Sequence, residues 1–105
     1  MKQTGIYTIE EIKNKLTPIF EERGVIKAVL FGSYAKGEAT EDSDVDIAVR
    51  VNEEVGGFEF YGIGGSVAEV LNRQVDFIDL EDVIPQGKAA LEIKNTGVVI
   101  FEKIR

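Results

Sequence analysis

Phe31-Gly32-Ser33-Tyr34-Ala35-Lys36-Gly37 and, after a polar stretch, Ser43-Asp44-Val45-Asp46-Ile47 decide how this chain is read. Upstream, Val25 to Phe31 is an apolar run broken only by Lys27, which predicts a buried strand. Gly32 and Gly37 bracket a turn that opens a short helix at Ser33. A strand that ends in Gly-Ser and turns into a helix aims backbone N–H groups outward. Such groups bind phosphate through hydrogen bonds and the helix dipole. Glycine at position 32 lets a phosphate approach the backbone closely, and the Ser33 hydroxyl adds a donor. Lys36, one turn on, either reaches a triphosphate oxygen or remains an exposed helical lysine.

Downstream, Val45 to Val51 alternates as a strand does. Val45, Ile47, Val49 and Val51 face one way; Asp44, Asp46, Ala48 and Arg50 face the other. At a rise of ~3.3 Å per residue, the Cβ atoms of Asp44 and Asp46 lie roughly 6–7 Å apart on one face. Carboxylates at that separation can share one Mg²⁺ or hold a pair of ions. Magnesium favours a few carboxylates together with substrate phosphates. Two like charges on one face destabilise a fold unless a cation compensates them. The residues therefore describe a phosphate loop facing a metal-binding strand.

The remaining segments frame this pair. Thr8-Ile9-Glu10-Glu11 predicts a capping box, followed by Ile9, Ile12, Leu16, Ile19 and Phe20 at helical spacing. Pro18 predicts a kink or a restart at Thr17, and Gly24 a stop. Glu38 to Ser43 reads as a loop whose serine orders the start of the next strand. A helix is expected from about Phe58 to Leu71, weakened at each interior glycine by about 1 kcal/mol relative to alanine. Within it, Gly62-Ile63-Gly64-Gly65-Ser66 lacks the ending and preceding strand of a phosphate loop and reads as a packing device. Phe58, Phe60 and Tyr61 are expected mainly in the core, with a partner-facing patch as the alternative. Val75 to Leu80 predicts a strand, Pro85 the first turn of a helix running through Asn95, and Val98 to Phe101 a last strand. Strands alternating with helices predict an α/β (α+β) domain, a short mixed sheet flanked by helices, spanning residues 1–105.

Composition narrows the chemistry. The chain has 105 residues with neither cysteine nor histidine, which excludes disulfide scaffolds, thiolate or imidazole zinc sites, and Ser-His-Asp or Cys-His catalysis. Nineteen acidic against twelve basic residues give a net charge of −7, so direct binding of nucleic acid is not expected. Acidity suits divalent cations and a basic protein partner. Met1 to Tyr7 lacks a leader's apolar run, and no stretch approaches the ~20 apolar residues of a membrane span. The cytoplasm is the expected location.

Gly32-Ser33, ten residues, then Asp44-Val45-Asp46 resembles the motif of the polymerase-beta-like nucleotidyltransferase superfamily. The small size and the form Gly-Ser-Tyr-Ala-Lys-Gly are most similar to its minimal nucleotidyltransferases. That resemblance implies the nucleotidyltransferase fold, with the Gly-Ser pair on the NTP phosphates and Asp44 and Asp46 on one or two Mg²⁺ ions. It also implies a third carboxylate on a neighbouring strand, as a metal ligand or as the base for an acceptor hydroxyl. Val75-Asp76-Phe77-Ile78-Asp79 offers Asp76 and Asp79, of opposite parity. If Val75 and Phe77 face the core, Asp76 shares the face of Asp44 and Asp46, and it is the expected third acid.

Relatives of this kind imply AMP transfer from ATP to a tyrosine of a HEPN-type ribonuclease toxin, with the nucleotidyltransferase acting as antitoxin. Larger relatives carry a helical domain that builds the acceptor site; here the acceptor is expected to come from a partner surface or across a dimer. Two other readings are a transferase for a small molecule such as an aminoglycoside, and an antitoxin that binds without catalysis. Among single residues, Tyr34 is expected to pack, and Ser43 to order a turn rather than act as nucleophile. Arg50 and Arg73 are expected either on a nucleotide or in structural contacts.

Overall fold

In the computed structural model, which describes residues 5–103, the chain runs α1 (Ile9–Glu22), β1 (Val25–Phe31), α2 (Gly32–Lys36), β2 (Val45–Val51), α3 (Gly57–Leu71), β3 (Val75–Asp79), a 3₁₀ turn (Leu80–Asp82), α4 (Lys88–Thr96) and β4 (Val98–Glu102). Met1 to Thr4, part of the segment read for a leader, lie outside the described residues. The four strands form one mixed sheet in the order β3-β2-β1-β4. β1 is antiparallel to β2 and to β4, whereas β2 and β3 are parallel, joined by the α3 crossover. This is the expected mixed sheet flanked by helices.

One face of the sheet holds the main core. Val45, Ile47 and Val49 of β2 and Ala28 and Leu30 of β1 pack with Ile12, Leu16 and Phe20 of α1 and Ile63, Val67 and Leu71 of α3. The alternate residues Val29, Phe31 and Ala48 are also buried, on the face that α2 and α4 cover. Burying apolar side chains on both faces removes more apolar area from water than a one-sided sheet of this length could. It also leaves one open strip on the α2–α4 side, where Asp46 lies.

The helix boundaries follow from local chemistry. At the start of α1, the Glu11 N–H donates to Thr8 Oγ1 at 3.0 Å and the Thr8 N–H donates to the Glu11 carboxylate at 2.9 Å, the predicted box. Pro18 neither stops nor restarts α1, which runs unbroken past it. The carbonyl it leaves without a helical donor belongs to Asn14, and both residues are exposed, so water can serve that carbonyl. Pro85 does not open α4. It occupies the second position of a turn closed by a 3.0 Å bond from the Gly87 N–H to the Ile84 carbonyl, with Gln86 at φ 68°, and the helix begins at Lys88. A fixed proline φ suits a turn as well as a first helical residue, which is why the sequence cue misplaced the start.

Aromatic placement also differs from expectation. Phe60 is half-buried, its ring centroid 5.0 Å from that of Phe77, but Phe58 is 94% and Tyr61 78% exposed. In α3 only the stripe of Ile63, Val67 and Leu71 is fully buried, and Phe58 and Tyr61 lie off it. The glycine-rich stretch is the packing device the sequence suggested. A Cβ at Gly64 would stand 3.0 Å from the Phe77 ring, so glycine there lets α3 lie close on β3. Arg23 donates to Ser66 Oγ at 3.2 Å across the α1–α3 contact.

Candidate active site

The first strand delivers the chain into α2 at Gly32, whose φ of +75° lies in the left-handed region. A side chain there would be strained, and its Cβ would collide with the Asp46 carboxylate, whose Cγ lies 3.1 Å from that point. Phe31 is the cross-strand partner of Asp46, so the β1–β2 register sets this approach. Gly32 is thus glycine because an acid of the next strand occupies the space above it. Ser33 follows at the second residue of α2, half-buried, and its hydroxyl takes part in no hydrogen bond among the described residues.

Asp46 and Asp76 stand side by side, with Asp44 near enough for its charge to act on Asp46. Asp44 is exposed immediately before β2, and Asp46 is the half-buried second residue of that strand. In the parallel β2–β3 ladder, Asp46 is the direct partner of Asp76. Phe77 packs against Gly64 and Phe60 of α3, which turns Asp76 to the opposite face, the face of Asp46. Asp79 has other work: its carboxylate accepts from the Glu81 N–H at 2.9 Å and caps the 3₁₀ turn. The choice between the two β3 acids therefore agrees with the geometry.

The Asp46 carboxyl is pushed up to about 6 from its ordinary 3.8. Burial is the main cause, followed by the negative charges of Asp76, Asp44 and Glu92, while Lys88 acts in the opposite direction. A half-buried acid facing like charges is what a divalent cation would relieve, and hard carboxylate oxygens suit Mg²⁺. Among the described residues no three acidic side chains converge into a ready-made coordination shell, so further ligands have to come from substrate or water. The residues present fit a metal bound jointly with a nucleotide's phosphates.

The helix expected through Asn95 is present as α4, but its part in the site was not foreseen. Lys88 and Glu92, spaced one turn apart on that helix, both act on Asp46, and Glu92 also pairs with Lys36 at 3.7 Å. Lys36, expected on the nucleotide, sits at the last residue of α2 and joins α2 to α4. Lys88 is a cation whose charge acts on Asp46 against that of the neighbouring acids. The i, i+4 spacing of Lys88 and Glu92 was visible, but nothing in the sequence placed that helix over the sheet strip. Arg50 is exposed near the end of β2. Arg73 is fixed elsewhere: its guanidinium donates to the carbonyls of Gly5 and Asn72 and lies 5.3 Å from the Tyr7 ring centroid. Tyr34 is buried in the core, as expected, and the Ser43 hydroxyl orders the turn before β2 by accepting from the Thr40 N–H at 2.8 Å.

Comparison with known proteins agrees with this arrangement. The family profile described as "Polymerase beta, Nucleotidyltransferase" matches residues 14–105. Protein adenylyltransferase MntA of Thermococcus cleftensis is 39% identical over 78 residues, 70% of this chain and 79% of that protein. A Methanocaldococcus jannaschii protein provisionally assigned as a protein adenylyltransferase is 38% identical over 77 residues, 73% of this chain and 83% of that protein. Among solved structures, a chain from the complex of tri-AMPylated Shewanella oneidensis HEPN toxin with MNT antitoxin superimposes with a TM-score of 0.66. It covers 91% of this chain and 74% of that one at 20% identity, a likeness of fold. With Asp46 and Asp76 paired across β2 and β3 and a match over most of its length, the chain belongs to the polymerase beta nucleotidyltransferase family.

Proposed function

We propose that this nucleotidyltransferase moves AMP from ATP to a hydroxyl of a protein, a tyrosine of a HEPN-type toxin, and so serves as its antitoxin. The observation that carries the reading is the in-register pair Asp46 and Asp76 beside Gly32 and Asp44, on a chain 39% identical to a protein adenylyltransferase. The Ser33 hydroxyl and the backbone N–H groups that open α2 bind the triphosphate. Asp44 and Asp46 would hold Mg²⁺, which when bound supplies the positive charge that offsets charge developing on the phosphates. Asp76, the most exposed of the two strand acids, takes the acceptor's proton as the oxygen attacks. The new bond joins that oxygen to the α-phosphorus, the bond from the α-phosphorus to its bridging oxygen breaks, and pyrophosphate leaves. Lys88 balances part of the negative charge around Asp46, and Lys36 with Glu92 keeps α2 against α4.

The test is incubation of the purified protein with labelled ATP, Mg²⁺ and a lysate of its own source, beside an Asp44→Asn/Asp46→Asn control. Label on one small protein, missing in the control, is expected. Pyrophosphate release without labelled protein would transfer the reading to a small-molecule acceptor. Absence of both would leave inhibition by contact alone.

A further inference from the structure

At the carboxyl ends of the parallel strands β2 and β3 lies a cleft of about 600 Å³, outside the aspartate cluster. Its walls come from the β2–α3 junction, the first turns of α3, and the turn leading into α4. Val51, Val55, Phe60, Phe77 and Ile78 make its floor apolar. A cleft of this size and lining is a binding feature rather than a packing defect. Tyr61 and Ile84, 78% and 74% exposed, form its lips, and Phe58, three residues before Tyr61 on α3, extends the apolar patch outward. Water covers three large apolar side chains here that the fold itself does not use.

The surroundings indicate what covers them. Asp79 and Asp82 line the cleft and exposed Glu81 adjoins Asp82; among the described residues the one cation on the lining is Lys88. An apolar slot inside an acidic rim is complementary to an apolar segment flanked by lysine or arginine. The cleft is also continuous with the catalytic strip. Ile78 is two residues along β3 from Asp76 and shares its face, and Lys88 both lines the cleft and acts on Asp46. A chain anchored in the cleft would need only a few extended residues to place a hydroxyl before Asp76.

We propose that this acid-rimmed cleft is the docking site for an apolar, basic-flanked segment of the acceptor protein, separate from the groups that carry out transfer. The proposal rests on the proposed function in taking the acceptor to be a protein. The exposed lips can be changed without touching the core, so the triple variant Phe58→Ser/Tyr61→Ser/Ile84→Ser is the main tool, with Glu81→Lys/Asp82→Lys as a second that spares the apolar surface.

Two measurements test it. A short fluorescent peptide with a leucine face between lysines is titrated against the full chain, and label transfer to the acceptor identified in the lysate assay is followed over acceptor concentration. The wild type should bind the peptide, more weakly as salt rises, and each variant should lose about tenfold or more. In transfer, the variants should raise KM for the protein acceptor while kcat and affinity for a non-hydrolysable ATP analogue stay unchanged. Failure of the wild type to bind the peptide, or equal binding by both variants, would overturn the proposal. Loss of ATP-analogue affinity in the triple variant would overturn it by giving the cleft to the nucleotide. A dimer that the triple variant abolishes would overturn it by giving the cleft to a second copy. Peptide binding that survives in Asp46→Asn, even where no protein is labelled, separates failure of the proposed function from failure of the docking site.

Discussion

At Gly32 two requirements meet at one α-carbon: a left-handed backbone and the neighbouring carboxylate of Asp46. Gly32→Ala is expected to cost about 1–2 kcal/mol from the backbone alone, and more as the methyl displaces Asp46. Denaturant unfolding would measure the first effect, and a loss of transfer beyond what the stability change explains would show the second. Asp46 makes an opposite prediction. Its carboxyl is raised to about 6 from 3.8, so the folded chain holds a proton between about pH 4 and 6 that the unfolded chain has released. In chelator, stability should therefore fall as pH rises through that window. Asp46→Asn should flatten the slope, raise Tm at pH 8, and match the wild type near pH 3. Mg²⁺ should raise the wild-type Tm and leave that of Asp46→Asn nearly unmoved. A variant that melts lower than wild type at pH 8 in chelator would contradict this account of the site's charge.

Among the elements, α1 separates local from tertiary control. Thr8 and Glu11 cap it reciprocally, and Thr8→Ala should cost about 1 kcal/mol, seen as a lower denaturant midpoint with the slope unchanged. Pro18 interrupts the helical bonding on a solvent-facing turn, so Pro18→Ala should stabilise the protein by about 1–3 kcal/mol. A destabilised alanine variant would show that Pro18 makes a contact its exposure does not suggest. The capping box was legible because both partners lie within four residues, and the strand parities were legible because a period of two needs no partner. Those parities gave Asp44, Asp46 and Asp76 a common face before any fold was known. Start points that depend on a single residue were less legible. Pro85 satisfies a turn as readily as a helix, and Phe58 and Tyr61 carry core-type side chains on a helix face that the sheet does not reach.

For the whole molecule, the sheet order β3-β2-β1-β4 gathers residues that the sequence keeps far apart. Gly32, Asp46 and Asp76 lie on α2, β2 and β3 at one surface, and α4 brings Lys88 and Glu92 over it from the far end of the chain. This is why the Gly32 turn and the strand parities of the acids were legible in the sequence but their charge environment was not. The path of α4 across the sheet follows from packing around Val29 and Phe31, which no local pattern encodes. The same architecture places one apolar cleft at the strand ends and the acids nearer the strand starts, an arrangement suited to holding a protein at one point and modifying it at another. The central claim is nucleotidyl transfer to a protein. Its most direct test supplies the enzyme and its acceptor with ATP labelled at the α-phosphorus or, in parallel, at the γ-phosphorus. The account predicts that α-label alone becomes covalently attached, in amounts equal to the pyrophosphate released, and that Asp44→Asn/Asp46→Asn attaches none. Attachment of γ-label, or of α-label by the double variant, would contradict it.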